Sequence, residues 1–426
     1  MKKVAILLML YVTLMGITGC ELFPSDTPTT PNVENATQGL EYIGNGDGTC
    51  YVNGIGTCTD TDIVIPSTSP DGDIVTSIGE FAFSECSDIT SVVIGNSVTS
   101  ICFRAFSYCS NLTSAVIGDS VTSIDESAFS ECPSLTYITI GDGVTSIGDY
   151  AFMGCSSLTS FTVDADNEYY KSIDGNLYTK DGKTLIRYAI GKSDKEFSIP
   201  DSVTSIDDYA FYGCYSLTCI TVDAGNEYYK SIDGNLYTKD GKTLVKYAIG
   251  KSDTEFSIPE GVTYIGDFAF YGCSGLSSIA IGNNVTSIGQ QAFTWCSNLT
   301  SITIGDGVTS IGDYAFMGCS RLSSVAIPDS VTSIGVSAFS YCSGLTSVVI
   351  GDGVTYVDDS VFWFCSGLIS VVIPDSVTSI GDGAFTWCFG LTDIYYTGSK
   401  EEWTTIKIGT NNDYLHKATV HCNYVP

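Results

Sequence analysis

Apolar positions recur along this chain with a period of 23 residues. The clearest unit covers residues 299–321 and reads LTSITIGDGVTSIGDYAFMGCSR, and the units that open at Leu322 and Leu345 repeat it. Apolar residues stand at offsets +3, +5, +9, +12 and +17 from the leading leucine, and a cysteine stands at +20. A fixed period of this length is typical of solenoids, in which each unit buries its apolar side only by stacking on its neighbours.

The same offsets predict the secondary structure of one unit. The opening L-x-x-I-x-I alternates like a strand with one buried face, and Gly-Asp-Gly at 305–307 predicts a turn. Val308 and Ile311 then point inward from a second wall, and Phe316 closes the coil. We therefore predict a mainly β solenoid with one parallel sheet on the concave face, and with short strands and helical turns on the other walls. The sheet should contain 14 strands, from 63–65 to the unit that opens at Leu391.

The first residues predict a secretion signal. Lys2 and Lys3 precede an apolar run over 4–17 that is too short and wrongly flanked for a membrane-spanning helix. The run ends in Ile-Thr-Gly-Cys, which resembles the bacterial lipobox, where Cys20 becomes the lipid-bearing first residue. We expect a lipoprotein signal peptide over 1–19, with an ordinary secretory signal as the alternative. Residues 20–39 are rich in Pro and Thr and predict an unfolded tether.

The repeats occupy residues 62–394. Sequence that does not follow the repeat pattern flanks them at both ends and interrupts them at two internal places. Residues 40–61 and 395–426 are predicted caps, because a solenoid otherwise exposes an unpaired strand at each end. The first cap predicts a hairpin around Gly-Asn-Gly-Asp-Gly, in which Cys50 and Cys58 either form a disulfide or remain thiols. The second predicts a short helix near 400–404 and a final strand. Nearly identical insertions near 164–192 and 223–251 each predict a protruding hairpin.

Three features together resemble the BspA-like leucine-rich repeat family of bacterial surface proteins. They are the repeat motif IGDYAFMGCSSLTS, the insertion DGNLYTKDGKTLIRY and the cap YYTGSKEEW. The likeness covers about residues 40–425. The resemblance implies a leucine-rich-repeat solenoid displayed on the cell surface, in a family often associated with adhesion to host or bacterial surfaces. It supplies no catalytic residues. Together with the lipobox, it implies an extracytoplasmic protein that is lipid-anchored to the bacterial membrane.

Charge narrows the range of partners. The chain has 18 basic and 48 acidic residues, for a net charge of −30, so nucleic acid and anionic membrane surfaces are poor partners. A basic protein or divalent cations fit better, although acidity can also serve solubility alone. Stacked turns should place carboxylates at offset +7 about 5 Å apart, where cations would gather loosely. These are Asp119, Asp142, Asp306, Asp329, Asp352 and Asp375, with Asp201 and Glu260 in the units after the insertions.

The potentially reactive residues do not predict an enzyme. Of the 17 cysteines, 11 belong to the repeat ladder, and no C-x-x-C metal-ligand spacing occurs. We expect no cofactor and no dedicated metal site, and we expect the ladder thiols to be buried and unbridged. Cys219 stands at an exposed strand position and is a candidate reactive thiol. The two histidines, His416 and His421, have no motif that pairs a base with a nucleophile, so a secreted hydrolase is only an outside alternative.

Two surfaces are candidate binding sites for proteins or glycans on host or bacterial surfaces. The first is the exposed strand face at offsets +2 and +4, which should be flat and uncharged. Its residues are Ser301, Thr303, Ser324, Ala326, Ser347, Val349, Ser370 and Val372. The second comprises the insertion tyrosines Tyr169, Tyr170, Tyr228 and Tyr229, because exposed Tyr is favoured at interfaces. A surface protein with a structural or scaffolding role and no dedicated ligand is the alternative.

Overall fold

The computed structural model describes residues 36–425, so the predicted signal peptide, Cys20 and residues 20–35 of the predicted tether lie outside the described residues. Thr37, predicted as part of the tether, is buried against the first repeat strand. Its N–H donates to the carbonyl oxygen of Val64 at 3.1 Å, and its Oγ1 accepts from the N–H of Val64 at 2.8 Å. The tether prediction is wrong for Thr37, because these bonds occupy backbone groups that an edge strand would leave unpaired.

The opening residues of the units form a long-strand wall. All 14 predicted strands are present, and they pair in parallel within four groups that are separated at the insertions and after the tenth strand. With strands numbered in chain order over the whole protein, they are β3 (Asp62–Ile65), β5 (Ser91–Ile94), β7 (Ser114–Ile117), β9 (Tyr137–Ile140), β11 (Ser160–Val163), β15 (Glu196–Ile199), β17 (Cys219–Val222), β21 (Glu255–Ser257), β23 (Ser278–Ile281), β25 (Ser301–Ile304), β27 (Ser324–Ala326), β29 (Ser347–Val349), β31 (Ser370–Ile373) and β33 (Asp393–Tyr396).

A short-strand wall follows the first turn of each unit. Its strands also run parallel and place one apolar residue inside, as Ile311 does beside Ile288 and Ile334. They are β4 (Ile74–Ile78), β6 (Ser100–Ile101), β8 (Ser123–Ile124), β10 (Ser146–Ile147), β16 (Ser205–Ile206), β22 (Tyr264–Ile265), β24 (Ser287–Ile288), β26 (Ser310–Ile311), β28 (Ser333–Ile334), β30 (Tyr356–Val357), β32 (Ser379–Ile380) and β34 (Lys407–Ile408).

The third side of each unit, which we call the turn wall, consists of consecutive tight turns. Backbone hydrogen bonds join neighbouring units there, as when the N–H of Phe316 donates to the carbonyl of Ala338 at 2.7 Å. In many units two residues have left-handed backbone, as Tyr314 does with φ 56° and Gly318 with φ 73°. The predicted mainly β solenoid is confirmed, but the predicted helical turns are not present in the repeats. Left-handed residues interrupt the right-handed backbone, so the chain turns here without forming a helix.

A phenylalanine ladder and a cysteine ladder fill the interior beside the turn wall. Phe316 stacks between Phe293 and Phe339, with ring centroids 5.1 and 5.0 Å away. The thiol of Cys319 donates to the carbonyl of Phe293 at 3.3 Å. The ladder thiols are unbridged, and all are buried except the half-buried Cys86. Cysteine suits this position because it is small and apolar, yet its weak donor satisfies a buried carbonyl.

Each insertion forms three strands that continue the solenoid. Leu185 lies opposite Ile206 in a parallel pair on the short-strand wall, and the Tyr188 ring lies 6.1 Å from Phe211 in the aromatic ladder. The predicted hairpins form, but they do not simply protrude, because their apolar residues replace the short strand and the phenylalanine of a unit. The strands are β12 (Tyr170–Ile173), β13 (Asn176–Thr179) and β14 (Thr184–Arg187), then β18 (Tyr229–Ile232), β19 (Asn235–Thr238) and β20 (Thr243–Lys246).

The caps cover both ends of the sheets. The predicted N-terminal hairpin forms, its second strand pairs in parallel with β4, and Cys50 and Cys58 are both unbridged. At the other end a capping box joins Ser399 and Glu402, and a fifteenth long strand pairs with β33. The cap elements are β1 (Glu41–Gly44), β2 (Thr49–Gly54), α1 (Lys400–Trp403), α2 (Asp413–Lys417) and β35 (Thr419–His421). Neither helix, nor any other in 36–425, has the length and apolarity to span a membrane.

Candidate functional site

Rows of small side chains cover the C-terminal part of the long-strand wall. Parallel pairing sets Ser347 of β29 between Ser324 and Ser370, and Val349 between Ala326 and Val372. The inward residues of these strands fill the core, so the alternate positions face outward. Predicted positions Ser301, Thr303, Ser324, Ala326, Ser347, Val349 and Ser370 are exposed or half-buried.

Val372 does not belong to this exposed face. Only 9% of its surface is accessible, against 38% for Val349 in the same row. Its in-register neighbour on the other side is Tyr395, whose ring stacks on His421 of the cap with centroids 4.9 Å apart. The prediction of an exposed Val372 is wrong, because the large rings of the cap cover the end of the row.

The long-strand face is also not uncharged along its whole length. Glu196 and Glu255 occupy the +2 row at the first strands after the insertions, and both are exposed. At the two ends of the same row lie Asp62 and Asp393. Hydrogen bonds from Ser91 and Thr90 lower the pKa of Asp62, and the pKa of Asp393 is lowered chiefly by its 2.7 Å hydrogen bond with His421. The prediction of an uncharged face therefore holds for β5 to β11, for β17 and for β23 to β31, but not for the strands that carry these four carboxylates.

The insertion tyrosines divide into exposed and packed side chains. Tyr169 and Tyr228 are 51% and 52% exposed, whereas Tyr170 and Tyr229 are half-buried. The hydroxyl of Tyr170 donates to the carbonyl of Thr145 at 3.3 Å, and burial raises its pKa. The remaining insertion tyrosines are buried and pack the core, namely Tyr178, Tyr188, Tyr237 and Tyr247.

A buried asparagine holds each exposed tyrosine in place. Asn167 is fully buried, and its Nδ2 donates to the carbonyl oxygens of Gly141 and Val144 at 2.8 and 3.0 Å. Its Oδ1 accepts from the N–H groups of Tyr169 and Tyr170 at 2.8 and 2.7 Å. Asn226 makes the matching bonds in the second insertion. The two loops therefore present one exposed tyrosine each on a rigid support.

Sequence reasoning missed an aromatic surface on the turn wall. Trp387 is 47% exposed, and its ring centroid lies 5.5 Å from Phe389, which lies 5.3 Å from Tyr414 of the cap. Further contacts extend the same chain of rings toward the middle of the protein. We call this surface the aromatic stripe; its residues are Trp295, Tyr341, Trp363, Phe364, Trp387, Phe389 and Tyr414.

The backbone explains why several of these rings point outward. Trp295, Tyr341, Phe364 and Trp387 immediately precede a ladder cysteine, and each has a left-handed φ of 58–60°. Glycine holds the same place in other units, as at Gly318. A bulky ring there incurs strain that a glycine avoids. These four aromatics, at an offset that four other units fill with glycine, were the sequence signal for this surface.

A groove of about 630 Å³ lies where the aromatic stripe meets the C-terminal cap. Two of its carboxylates belong to a ladder: the N–H of Asp382 donates to Oδ1 of Asp359 at 2.7 Å, and the N–H of Thr410 donates to Oδ1 of Asp382 at 2.6 Å. Aromatic rings and carboxylates thus face one space. We call it the cap groove, and its principal lining residues are Asp359, Trp363, Asp382, Trp387, Asp413 and Tyr414.

The described residues contain no cluster of three or more His, Cys, Asp or Glu side chains that could hold a metal ion. Burial raises the pKa of the ladder thiols Cys155, Cys214 and Cys273 to about 12, far from the range of a reactive thiolate. Cys219 is half-buried at the +2 row. Its reactivity remains a prediction.

Several solved structures of bacterial proteins are similar to this chain. A leucine-rich cell surface protein from Faecalibacterium prausnitzii A2-165 is 29% identical, covers 90% of this chain and 99% of its own, and has a TM-score of 0.48. The pneumococcal vaccine antigen PcpA is 18% identical, with 92% and 98% covered and a TM-score of 0.51. A leucine-rich repeat protein from Eubacterium ventriosum ATCC 27560 is 21% identical, with 92% and 95% covered and a TM-score of 0.47.

No curated protein sequence matches this chain. The family model described as "BspA type Leucine rich repeat region (6 copies)" matches residues 60–179, 189–240, 246–369 and 288–407. These matches span nearly all of the repeats that form the three walls. The chain therefore belongs to the BspA-type leucine-rich repeat family.

Proposed function

We propose that this protein is a lipid-anchored bacterial surface protein that binds a protein or glycan on host or bacterial surfaces. One observation carries the proposal: the rows of small, accessible side chains on the long-strand wall from β23 to β31. The hydroxyls of Ser301, Ser324 and Ser347 make no hydrogen bond to any group within residues 36–425. Such a surface leaves donors and acceptors free and lets a partner approach closely.

A pair of arginine substitutions tests the binding face. Ser324→Arg with Ser347→Arg places two long charged side chains on adjacent strands, which should weaken partner binding by about tenfold or more. Partners would be captured with the mature ectodomain from panels of host matrix proteins, bacterial surface proteins and glycans. Ser310→Arg with Ser333→Arg adds the same charges to the short-strand wall and serves as the control. Equal binding by both double variants would move the site elsewhere.

The insertion tyrosines are the second candidate site, because Asn167 and Asn226 fix Tyr169 and Tyr228 with half of each side chain exposed. Tyr169→Ala with Tyr228→Ala should then reduce capture of the same partner, while Tyr108→Ala, at an exposed tyrosine on the turn wall, should not. A partner that binds the Tyr169→Ala, Tyr228→Ala double variant as well as it binds the parent would remove the insertions as a site. A protein that captures nothing from any panel would favour the structural role.

The lipid anchor is tested separately at Cys20. Cys20→Ala should abolish incorporation of a labelled fatty acid and release the protein from the membrane fraction. Incorporation that survives the substitution would place any acyl chain elsewhere. We further propose that the protein is not an enzyme, since within residues 36–425 the ring of His421 is hydrogen-bonded to the carboxylate of Asp393 and not to a hydroxyl or thiol nucleophile. Hydrolase activity that belongs to the purified ectodomain and not to a contaminant would reverse this proposal.

A further inference from the structure

We propose that the cap groove binds the ammonium or guanidinium side chains of a basic polypeptide segment. This site lies on the turn wall. Its lining includes no residue of the long-strand face and none of the insertion tyrosines. The inference rests on the proposed function only in that a protein partner exists. The volume of the cap groove, about 630 Å³, is large enough for several side chains of an extended segment.

The cap groove is lined with carboxylates. Asp359, Asp382 and Asp413 line the groove and are exposed, and within residues 36–425 none of them forms an ion pair with a lysine or arginine. The ladder bonds to Asp359 and Asp382 occupy Oδ1 only. Each Oδ2 is left to accept from a ligand. A cation entering the groove would meet three carboxylates on a chain whose net charge is −30.

Aromatic rings also line the cap groove. Trp363, Trp387 and Tyr414 stand around the same carboxylates. Lysine and arginine cations are attracted to the faces of such rings within about 6 Å of the centroid. The protein itself already makes this contact at the rim, since Nζ of Lys417 lies 5.1 Å from the centroid of Tyr414. Rings and carboxylates together favour a group that is both cationic and carried on an apolar stem.

The same observations disfavour the other occupants of an aromatic groove. A second copy of this chain would bring its own acidic groove and a charge of −30 against the first, which like-charge repulsion opposes. A neutral glycan could stack on Trp387 but has no positive charge to pair with the three carboxylates. A basic segment satisfies both parts of the lining.

The test measures binding of a fluorescent peptide of alternating Arg and Gly to the purified protein by anisotropy, in about 0.15 M NaCl, where exposed charges beyond about 8 Å are screened. Trp387→Gly removes the ring while keeping a left-handed backbone that Gly318 adopts at the same offset. Asp382→Asn with Asp413→Asn removes charge but keeps an oxygen for the N–H of Thr410. Each should weaken binding by about fivefold or more.

Matched controls separate the groove from general acidity. Tyr108→Gly removes an exposed ring at the same offset in a distant unit, and Asp329→Asn with Asp352→Asn removes two charges from the +7 edge. Both should leave the peptide affinity within about twofold of the parent. Equal weakening by the groove and control variants, or none by either, would overturn the proposal. Trp387-dependent binding of a neutral oligosaccharide, or Trp387-dependent dimerisation in sedimentation velocity, without peptide binding would overturn it in favour of that occupant.

Failure here is distinguishable from failure of the proposed function. The arginine substitutions at Ser324 and Ser347 lie on another wall and should not change the peptide affinity. A partner whose capture is lost with these substitutions but not with Trp387→Gly would support the long-strand face and overturn the cap groove as a contributor to that complex.

Discussion

The carboxylate of Asp329 accepts a hydrogen bond of 3.0 Å from the backbone N–H of Asp352, one repeat further along the chain. In the unit that opens at Leu276, Asn283 does the same for the N–H of Asp306, also at 3.0 Å. At these two turns the residue at offset +7 serves as an acceptor oxygen, with a negative charge in one case and without it in the other. The charge is an added property of this edge.

Asp119→Asn should stabilise the protein at neutral pH. Burial, and then the charges of Asp142 and Asp164, raise the pKa of Asp119 above its ordinary value. A carboxyl whose pKa is raised by folding lowers stability as pH rises through its unfolded pKa. Each repulsive pair costs at most about 0.8 kcal/mol at 5 Å in water. The expected result is a higher Tm than the parent at pH 7 and an equal Tm near pH 3.

Salt and calcium should also stabilise the acidic edge. Carboxylates stacked along one edge repel, and both screening and loosely held cations reduce that repulsion. Thermal melts at low ionic strength should show Tm rising with NaCl and with millimolar Ca²⁺, without sharp saturation. A Tm that moves in neither titration would mean that this edge is simply solvated.

The two insertions offer a matched pair of tyrosines. The hydroxyl of Tyr188 is buried without a hydrogen-bond partner, whereas that of the equivalent Tyr247 donates to Asp253 at 3.2 Å. Tyr188→Phe should therefore raise the free energy of unfolding by about 1 kcal/mol, and Tyr247→Phe should lower it by about 1 kcal/mol. Chemical denaturation of both variants checks the signs. Shifts of the same sign would contradict the assignment of the orphaned hydroxyl.

The cysteine ladder should resist alkylation in the native protein. Burial raises the pKa of Cys155, Cys214 and Cys388 to about 12, so almost no thiolate exists at pH 8. Iodoacetamide should label the half-buried Cys58 and Cys219 and leave the ten fully buried ladder thiols, which exclude Cys86, unmodified until denaturant is added. Peptide mapping by mass spectrometry locates the labels. Native labelling within the ladder would show that the units open locally.

The repeat itself was predictable because the interactions that form it join residues of the same unit or of adjacent units in the sequence. Leu, Ile, Phe and Cys recur at fixed offsets, and stacking of identical units needs no long-range information to align them. The strand count, the two caps, the hairpin-forming insertions and the short helix beginning at Lys400 followed from that period and from its interruptions.

Other features depended on contacts between segments distant in the chain. Tyr395 and His421 of the cap cover Val372, and Thr37 pairs with Val64 although its surroundings read as a tether. The sequence determined which residues face the core of each unit, since the period sets that for every copy. Only the tertiary structure decided which outward residues are accessible and which meet in one groove, because exposure depends on neighbouring units and caps that no single unit encodes.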